Sequence, residues 1–161
     1  MGKPIFAPEK IPFSAPSSTA GNAKSYPLEV EGQEYEIGAV SMGNPHAVLQ
    51  VDDINKAPVL TLGPKIETHS MFPNKANVGF MQIIDKQHIA LRVFERDVGE
   101  TEACGTGACA AVVIGQAQQL LDPQVNVQLP GGSLQIECEN TAAPVFMTGP
   151  AQLSFEGSLT L

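Results

Sequence analysis

One cysteine stands where a loop gives way to a predicted helix, and its residue type and position suit it for chemistry. Cys104 is followed by Gly105-Thr106-Gly107, and a helical composition runs from Ala108 to about Leu121. Thr106 is the expected N-cap, because its hydroxyl can accept a hydrogen bond from an N–H of the first turn. The positive end of a helix dipole lowers the pKa of a nearby thiol, so this position predicts a thiolate near neutral pH.

The glycines beside this cysteine favour the binding of an anionic ligand at the start of the helix. Gly105 and Gly107 carry no Cβ, so an anion can approach the N–H groups at the start of the helix. The pattern therefore suits a substrate carboxylate with a thiol base or nucleophile beside it. The alternative interpretation is that Cys104 is a small buried residue in a tight turn.

Short strands are predicted on both sides of this helix. Alternation of apolar and polar residues, bounded by turn residues, gives strands at 26–30, 34–40, 47–51, 76–84, 88–95, 125–129, 133–138 and 144–148, and one starting near Gln152. Turns are expected at Glu31-Gly32-Gln33, Asp85-Lys86-Gln87 and Pro130-Gly131-Gly132. Residues 58–70 predict a short helix broken at Gly63-Pro64, and residues 7–25, rich in Pro, Ser and Ala, predict an extended lead-in or loop.

The predicted helix after Cys104 is apolar nearly all round. Its apolar residues are Ala108, Ala110, Val112, Val113, Ile114, Ala117, Leu120 and Leu121. They cannot share one stripe, so the helix must be buried on most of its sides. Wrapping many strands around it is one way to bury such a helix in a soluble protein.

Length and charge narrow the function classes. The 161 residues suffice for one domain with a substantial core, and the 43% hydrophobic and 16% charged content fits a folded protein. A net charge of −8 argues against a nucleic-acid surface. No apolar run reaches the ~20 residues of a membrane span. Three cysteines without a signal peptide indicate reduced thiols and a cytoplasmic protein.

Three ordered motifs carry a family resemblance. They are Ser41-Met42-Gly43-Asn44-Pro45-His46, then Phe72-Pro73 with Ala76-Asn77-Val78-Gly79-Phe80, then Glu95-Arg96 with Gly99-Glu100-Thr101 and Ala103-Cys104-Gly105-Thr106-Gly107-Ala108-Cys109. Together they resemble the C-terminal active-site half of the diaminopimelate epimerase family. The resemblance covers nearly the whole chain, and the order and spacing of the three motifs make it specific.

The resemblance implies a fold and an activity. It implies an α+β fold in which a mixed β-sheet curls barrel-like around one central helix. Residues 1–161 would form one C-terminal lobe, and residues 1–25 would lead into it. The family epimerises LL-diaminopimelate to the meso form for lysine synthesis, without a cofactor, between two lobes that each give a cysteine. The first-lobe motif Cys-Gly-Asn-Gly-Ala-Arg-Cys does not occur here. The expected partners are therefore this small-molecule substrate and a missing N-terminal lobe, with a homodimer as a further option.

The resemblance also implies the roles of individual residues. Cys104 would be catalytic and His46 would line the site. The residues that would bind substrate are Asn44, Asn77, Glu95, Arg96, Gly105 and Thr106. The sequence departs from the family at Asp97-Val98, where Gly-Ala is usual, and Asp97 loses the freedom of glycine at positive φ. Without the resemblance, Asn44-Pro45-His46 could be a turn, Asn77 a strand-edge residue, and Glu95 with Arg96 an exposed ion pair.

The remaining thiols and imidazoles suggest no second site. Cys109 is expected to point into the core and Cys138 to be buried in a strand, and neither forms a zinc set with His69 or His88. Two other function classes stay open from the sequence. One is a related isomerase, of the proline-racemase or phenazine-isomerase kind. The other is a non-catalytic fragment that binds a partner or dimerises.

Overall fold

The computed structural model describes residues 1–16 and 25–159. Within them it has a nine-stranded sheet and two α-helices. The strands are β1 (Tyr26–Val30), β2 (Gln33–Ser41), β3 (Pro45–Gln50), β4 (Asn77–Asp85), β5 (His88–Glu95), β6 (Gly99–Thr101), β7 (Gln124–Leu129), β8 (Gly132–Glu137) and β9 (Phe146–Thr148). The helices are α1 (Val59–Glu67) and α2 (Gly105–Ala117).

The sheet is mixed, as predicted. Its strand order is β1-β2-β3-β4-β5-β7-β8-β9, with β6 paired to β5. The β3–β4 and β5–β7 pairs are parallel and the others antiparallel. The predicted turn after β1 is a two-residue hairpin loop, because Glu31 and Gly32 both have positive φ and thus form the turn that matches strand twist. In the described residues the strand order is an open path, so barrel-like curling stays a prediction.

Helix α2 is the buried helix that the sequence predicted. Its nine residues from Gly107 to Gly115 are all buried, and it packs against β2, β3, β4, β5 and β8. It ends at Ala117 rather than near Leu121. Gln119 has a φ of +65°, and the N–H of Leu120 bonds to the carbonyl of Gly115, which is the Schellman ending.

Helix α1 is not broken, so the predicted break at Gly63-Pro64 is wrong. The helix continues through both residues to Glu67. Gly63 lies against Phe94, and a Cβ at this glycine would come within 2.8 Å of the Phe94 ring. The buried face, with Leu62 and Ile66, therefore holds the helix together across the proline by tertiary packing, which outweighs the local propensity.

The two ends of the chain also differ from expectation. The lead-in is not wholly extended, because residues Pro8–Lys10 form a short 3₁₀ helix and Ile11 and Phe13 are buried; its residues 17–24 lie outside the described part. Residues 149–159 have no regular structure, so the strand predicted near Gln152 does not form in the described chain. In the described part, neither helix combines the length and hydrophobicity needed to cross a membrane.

Candidate active site

Cys104 lies at the start of α2, where the sequence placed it, but in the capping position itself. Its backbone is extended (φ −133°, ψ 102°) and its carbonyl accepts the first helical bond, from the N–H of Ala108. The predicted N-cap Thr106 is therefore wrong, since it is the second residue of the helix. Its hydroxyl lies 3.6 Å from the Cys104 sulfur instead.

The predicted lowering of the thiol pKa is also wrong. Cys104 is only 5% exposed, and burial raises its pKa. Contacts with the Thr106 hydroxyl and the Gly107 N–H act in the opposite direction, whereas the nearby Glu95 carboxylate raises the pKa further. The thiol therefore keeps its proton near neutral pH.

The two glycines in the first turn of α2 are closely packed against neighbouring side chains. A Cβ on Gly107 would come within 3.1 Å of the Cys104 sulfur and 3.0 Å of Val93. A Cβ on Gly105 would come within 3.0 Å of the Met147 sulfur. Met147 belongs to β9, and no local pattern in the sequence indicates that it covers the helix start.

Glu95 is the last residue of β5 and faces this helix start. Its carboxylate accepts a 2.6 Å hydrogen bond from the hydroxyl of Thr101 on the paired strand β6. The strand ends here, so Arg96 is already in the following turn. Successive strand residues point to opposite faces, so the end of the strand at Glu95 removes this constraint on the direction of the Arg96 side chain. Glu95 bonds to Thr101 rather than forming the alternative ion pair with Arg96.

Only one of the two arginines remains for a ligand carboxylate. The Arg92 guanidinium makes a two-pronged contact with Glu100, at 2.6 and 3.0 Å. The Arg96 Nη1 donates to the carbonyl of Asn74 at 3.2 Å, which leaves other donors of its fork for a ligand.

Asn77 joins two segments of the site. Its side-chain oxygen accepts from the Arg96 backbone N–H at 3.0 Å, and its side-chain nitrogen donates to the Pro45 carbonyl at 3.1 Å. It is buried at the start of β4, directly beside His46 in the parallel β3–β4 pair. The structure therefore gives Asn77 a positioning contact on each side.

Asn44 and His46 lie together beside this junction. The His46 Nε2 is 3.0 Å from the Asn44 side-chain oxygen, which only accepts, so the contact places the ring proton on Nε2. His46 is 1% exposed. Burial, together with the positive charge of Arg96, lowers the pKa of His46 to about 4. The imidazole is therefore neutral at neutral pH.

The other thiols and imidazoles lie outside this cluster. Cys109 and Cys138 are buried, as expected, although Cys138 follows β8 rather than lying in it. His69 contacts the Glu29 carbonyl and His88 contacts Asp85. In residues 1–16 and 25–159, no group of three His, Cys, Asp or Glu side chains could hold a metal ion.

Two solved structures share this architecture. One is a hydroxyproline epimerase from Agrobacterium vitis, with a TM-score of 0.56 and 14% identity, in which the match covers 75% of this chain and 44% of that one. The other is a probable proline racemase from Agrobacterium radiobacter K84, with a TM-score of 0.53 and 14% identity over 82% of this chain and 50% of that one. At this identity the likeness shows a common fold, which confirms the predicted α+β class.

Sequence relatives give the family. The family model described as diaminopimelate epimerase matches residues 38–154. Proteins named diaminopimelate epimerase from Alkalilimnicola ehrlichii, Pseudomonas syringae pv. tomato and Thioalkalivibrio sulfidiphilus are 58%, 56% and 59% identical to this chain over its whole length. The chain belongs to the diaminopimelate epimerase family. It spans 56–57% of the length of these relatives.

Proposed function

We propose that residues 1–161 form a single domain, the C-terminal catalytic lobe of a cytoplasmic, cofactor-independent epimerase that converts LL-diaminopimelate to the meso form. The observation that carries the proposal is the start of α2, where the Cys104 thiol, the Glu95 carboxylate and the first helical N–H groups meet. Family membership supports the substrate class, because the relatives named above carry that substrate in their names.

The proposed reaction needs two opposed acid–base groups. One group removes the proton from one face of the substrate α-carbon while another returns a proton to the opposite face. Cys104 is proposed as one of them. The carbanion forms next to a carboxylate, and the N–H groups of Gly105 and Thr106 at the helix start are oriented to stabilise the negative charge. No cofactor is required by this scheme.

The neighbouring residues are proposed to hold the substrate. Arg96 would bind a carboxylate through its fork, and Glu95, oriented by Thr101, would accept from a substrate ammonium or from the thiol. Asn44 would hydrogen-bond the substrate, with neutral His46 holding its amide in place. Diaminopimelate is a diamino-dicarboxylate, so its carboxylates suit the positive group of this site and its ammonium groups suit the negative group. Asn77 is proposed to assist by fixing the Arg96 backbone.

A first lobe is proposed to complete the site. Cys109 is fully buried inside α2 and cannot reach the opposite face of a ligand at the helix start. The exposed end of the chain supports a missing partner, because Leu153, Phe155 and Leu159 are 77–84% exposed. These residues lie two or four positions apart, the period of a strand with one apolar face. If this segment became extended, the three apolar side chains would share one face, which a first lobe would cover.

Proton exchange in D₂O tests the proposal. The chain alone, given LL-diaminopimelate, should form almost no meso product and at most exchange the α-proton slowly without inversion. Adding the first lobe of one of the full-length relatives as a separate chain should restore inversion. Inversion by the chain alone at about 1 per second, a rate typical of enzymes, would contradict the half-site and indicate a homodimer that supplies the second group. Turnover of proline or hydroxyproline instead would contradict the proposed substrate.

A further inference from the structure

Glu67 is a buried carboxylate outside the group of residues described above. It is the last residue of α1 and is 7% exposed. A carboxylate is rarely buried unless it is hydrogen-bonded or paired. Its Oε1 accepts a 2.7 Å hydrogen bond from the backbone N–H of Asp97 and lies 3.8 Å from the ammonium of Lys75. Both contacts lead to the turn that carries Arg96.

That turn has a backbone shape that its sequence does not favour. The N–H of Val98 donates to the carbonyl of Glu95 at 3.1 Å, so Arg96 and Asp97 are the two central residues. Asp97 has a φ of +62°, whereas Arg96 is not among the residues with positive φ. A positive φ at the second central residue is typical of a type II turn, where glycine is preferred. Aspartate tolerates this conformation but adopts it less readily than glycine, so contacts with neighbouring residues stabilise it here.

Glu67 supplies that support at the peptide group between Arg96 and Asp97. In this turn the Asp97 N–H points out of the turn, and the buried carboxylate accepts it with a charge-assisted hydrogen bond. The Asp97 side chain is paired with Lys75. Lys75 thus contacts both acidic residues, and it offsets the negative charge that Asp97 brings next to Arg96.

We propose that Glu67 is a positioning residue that aims Arg96 at the substrate carboxylate. Arg96 is held on both sides, because Asn77 binds its own N–H at 3.0 Å and Glu67 binds the next N–H at 2.7 Å. Two buried side chains from different elements therefore fix both peptide groups that set the direction of the arginine side chain. The functional part of this proposal rests on the proposed role of Arg96, and the geometric part does not.

The experiment compares Glu67→Ala with Glu67→Gln and with Glu31→Ala. Glutamine keeps an oxygen acceptor for the Asp97 N–H. Glu31 is a matched control, because it is an exposed glutamate whose ion pair with Lys65 also involves α1. The first measurement is amide hydrogen exchange by NMR on the 161-residue chain. Loss of a hydrogen bond to a charged acceptor should lower the protection of the Asp97 amide by at least ~10-fold in Glu67→Ala. Glu67→Gln should lower it less, and Glu31→Ala should leave it unchanged.

The second measurement separates KM from kcat after the chain is combined with a first lobe. Glu67→Ala should raise KM by at least ~10-fold and change kcat less, because the arginine contributes to substrate binding. Adding Asp97→Gly should recover most of the loss, since glycine adopts the positive φ without the carboxylate. If Glu67 only stabilised the overall fold, Asp97→Gly would not restore KM in the Glu67→Ala variant.

Different results would overturn the Glu67 contact and the proposed role of Arg96. An Asp97 amide equally protected in Glu67→Ala and the wild type would overturn the positioning contact. Loss of protection throughout the chain, or a KM defect that Asp97→Gly does not reduce, would show a general folding role and overturn the proposal. If the Asp97 amide loses protection while Arg96→Lys leaves KM unchanged, the proposed function of Arg96 fails and the contact between Glu67 and the turn stands.

Discussion

Acidification should destabilise this protein through His46. The imidazole is 1% exposed and its pKa is lowered from 6.5 to about 4. One pKa unit corresponds to about 1.4 kcal/mol, so this difference contributes up to ~3 kcal/mol. The unfolded chain binds the proton near pH 6.5, before the folded protein does. The contribution is therefore complete above pH 6.5 and is lost as the pH falls toward about 4.

Urea unfolding of the wild type and of His46→Gln, from about pH 8 to about pH 4, measures this contribution. Both proteins will lose stability at low pH as their carboxylates are protonated. The difference between their free energies of unfolding therefore gives the contribution of the His46 imidazole. The wild type should lose ~3 kcal/mol more than His46→Gln over this range. His88→Gln is the matched control, because His88 is an exposed histidine whose contact with Asp85 is also exposed. An exposed pair of this kind contributes little to stability, so this variant should follow the wild-type curve closely.

NMR titration of the ring protons gives the pKa of His46 directly and does not depend on the variant. The chain has three histidines, so the signals can be assigned with single substitutions. A measured pKa of His46 near or above 6.5 would refute the reasoning. It would mean that the buried ring accepts a proton without cost, at the pH at which an exposed histidine does.

Three further results are expected. Iodoacetamide should label all three thiols slowly, because burial raises the pKa of each. Cys104 is the most exposed of them and should react before Cys109 and Cys138. Mass spectrometry that shows Cys138 labelled first would contradict the assignment of Cys104 as the reactive thiol. In the assembled enzyme, Arg96→Lys should lower kcat/KM by at least ~10-fold, because lysine cannot form the two-pronged contact, and unchanged kinetics would count against that contact. Phe155→Ser should weaken association with a first lobe by at least ~10-fold in calorimetry, without changing the melting temperature of the chain alone. Equal affinity would show that Phe155 lies outside the interface.

The sequence predicts the elements of this fold well where local chemistry decides them. Most strands begin and end within two residues of their predicted limits, because turn residues such as Glu31-Gly32 and Pro130-Gly131 separate them. The burial of α2 follows from an apolar surface on every side of the helix. The end of α2 was missed because Gln119, not glycine, takes the positive φ, so the usual signal for a helix end is absent.

The site is less predictable, because its properties depend on contacts between distant segments. The position of Cys104 at a helix start follows from the residues around it, and from this the sequence predicted a low pKa. Burial under the sheet and the approach of Glu95 reverse the direction, and neither is local. Glu67 and Met147 reach the site from α1 and β9. They have no spacing pattern that links them to residues 95–107.

For the proposed epimerase, a protonated Cys104 is a useful starting state. A two-base reaction needs one group that can accept a proton and one that can donate it. In this chain, burial and the Glu95 carboxylate both favour the thiol form, which would make Cys104 the proton donor of the proposed reaction. The opposing group, proposed to lie on a first lobe, would then begin as the acceptor. A substrate ammonium placed near Glu95 would offset its negative charge and remove one cause of the raised pKa. In the proposed reaction, the Glu95 carboxylate would thus couple the protonation state of the thiol to substrate binding.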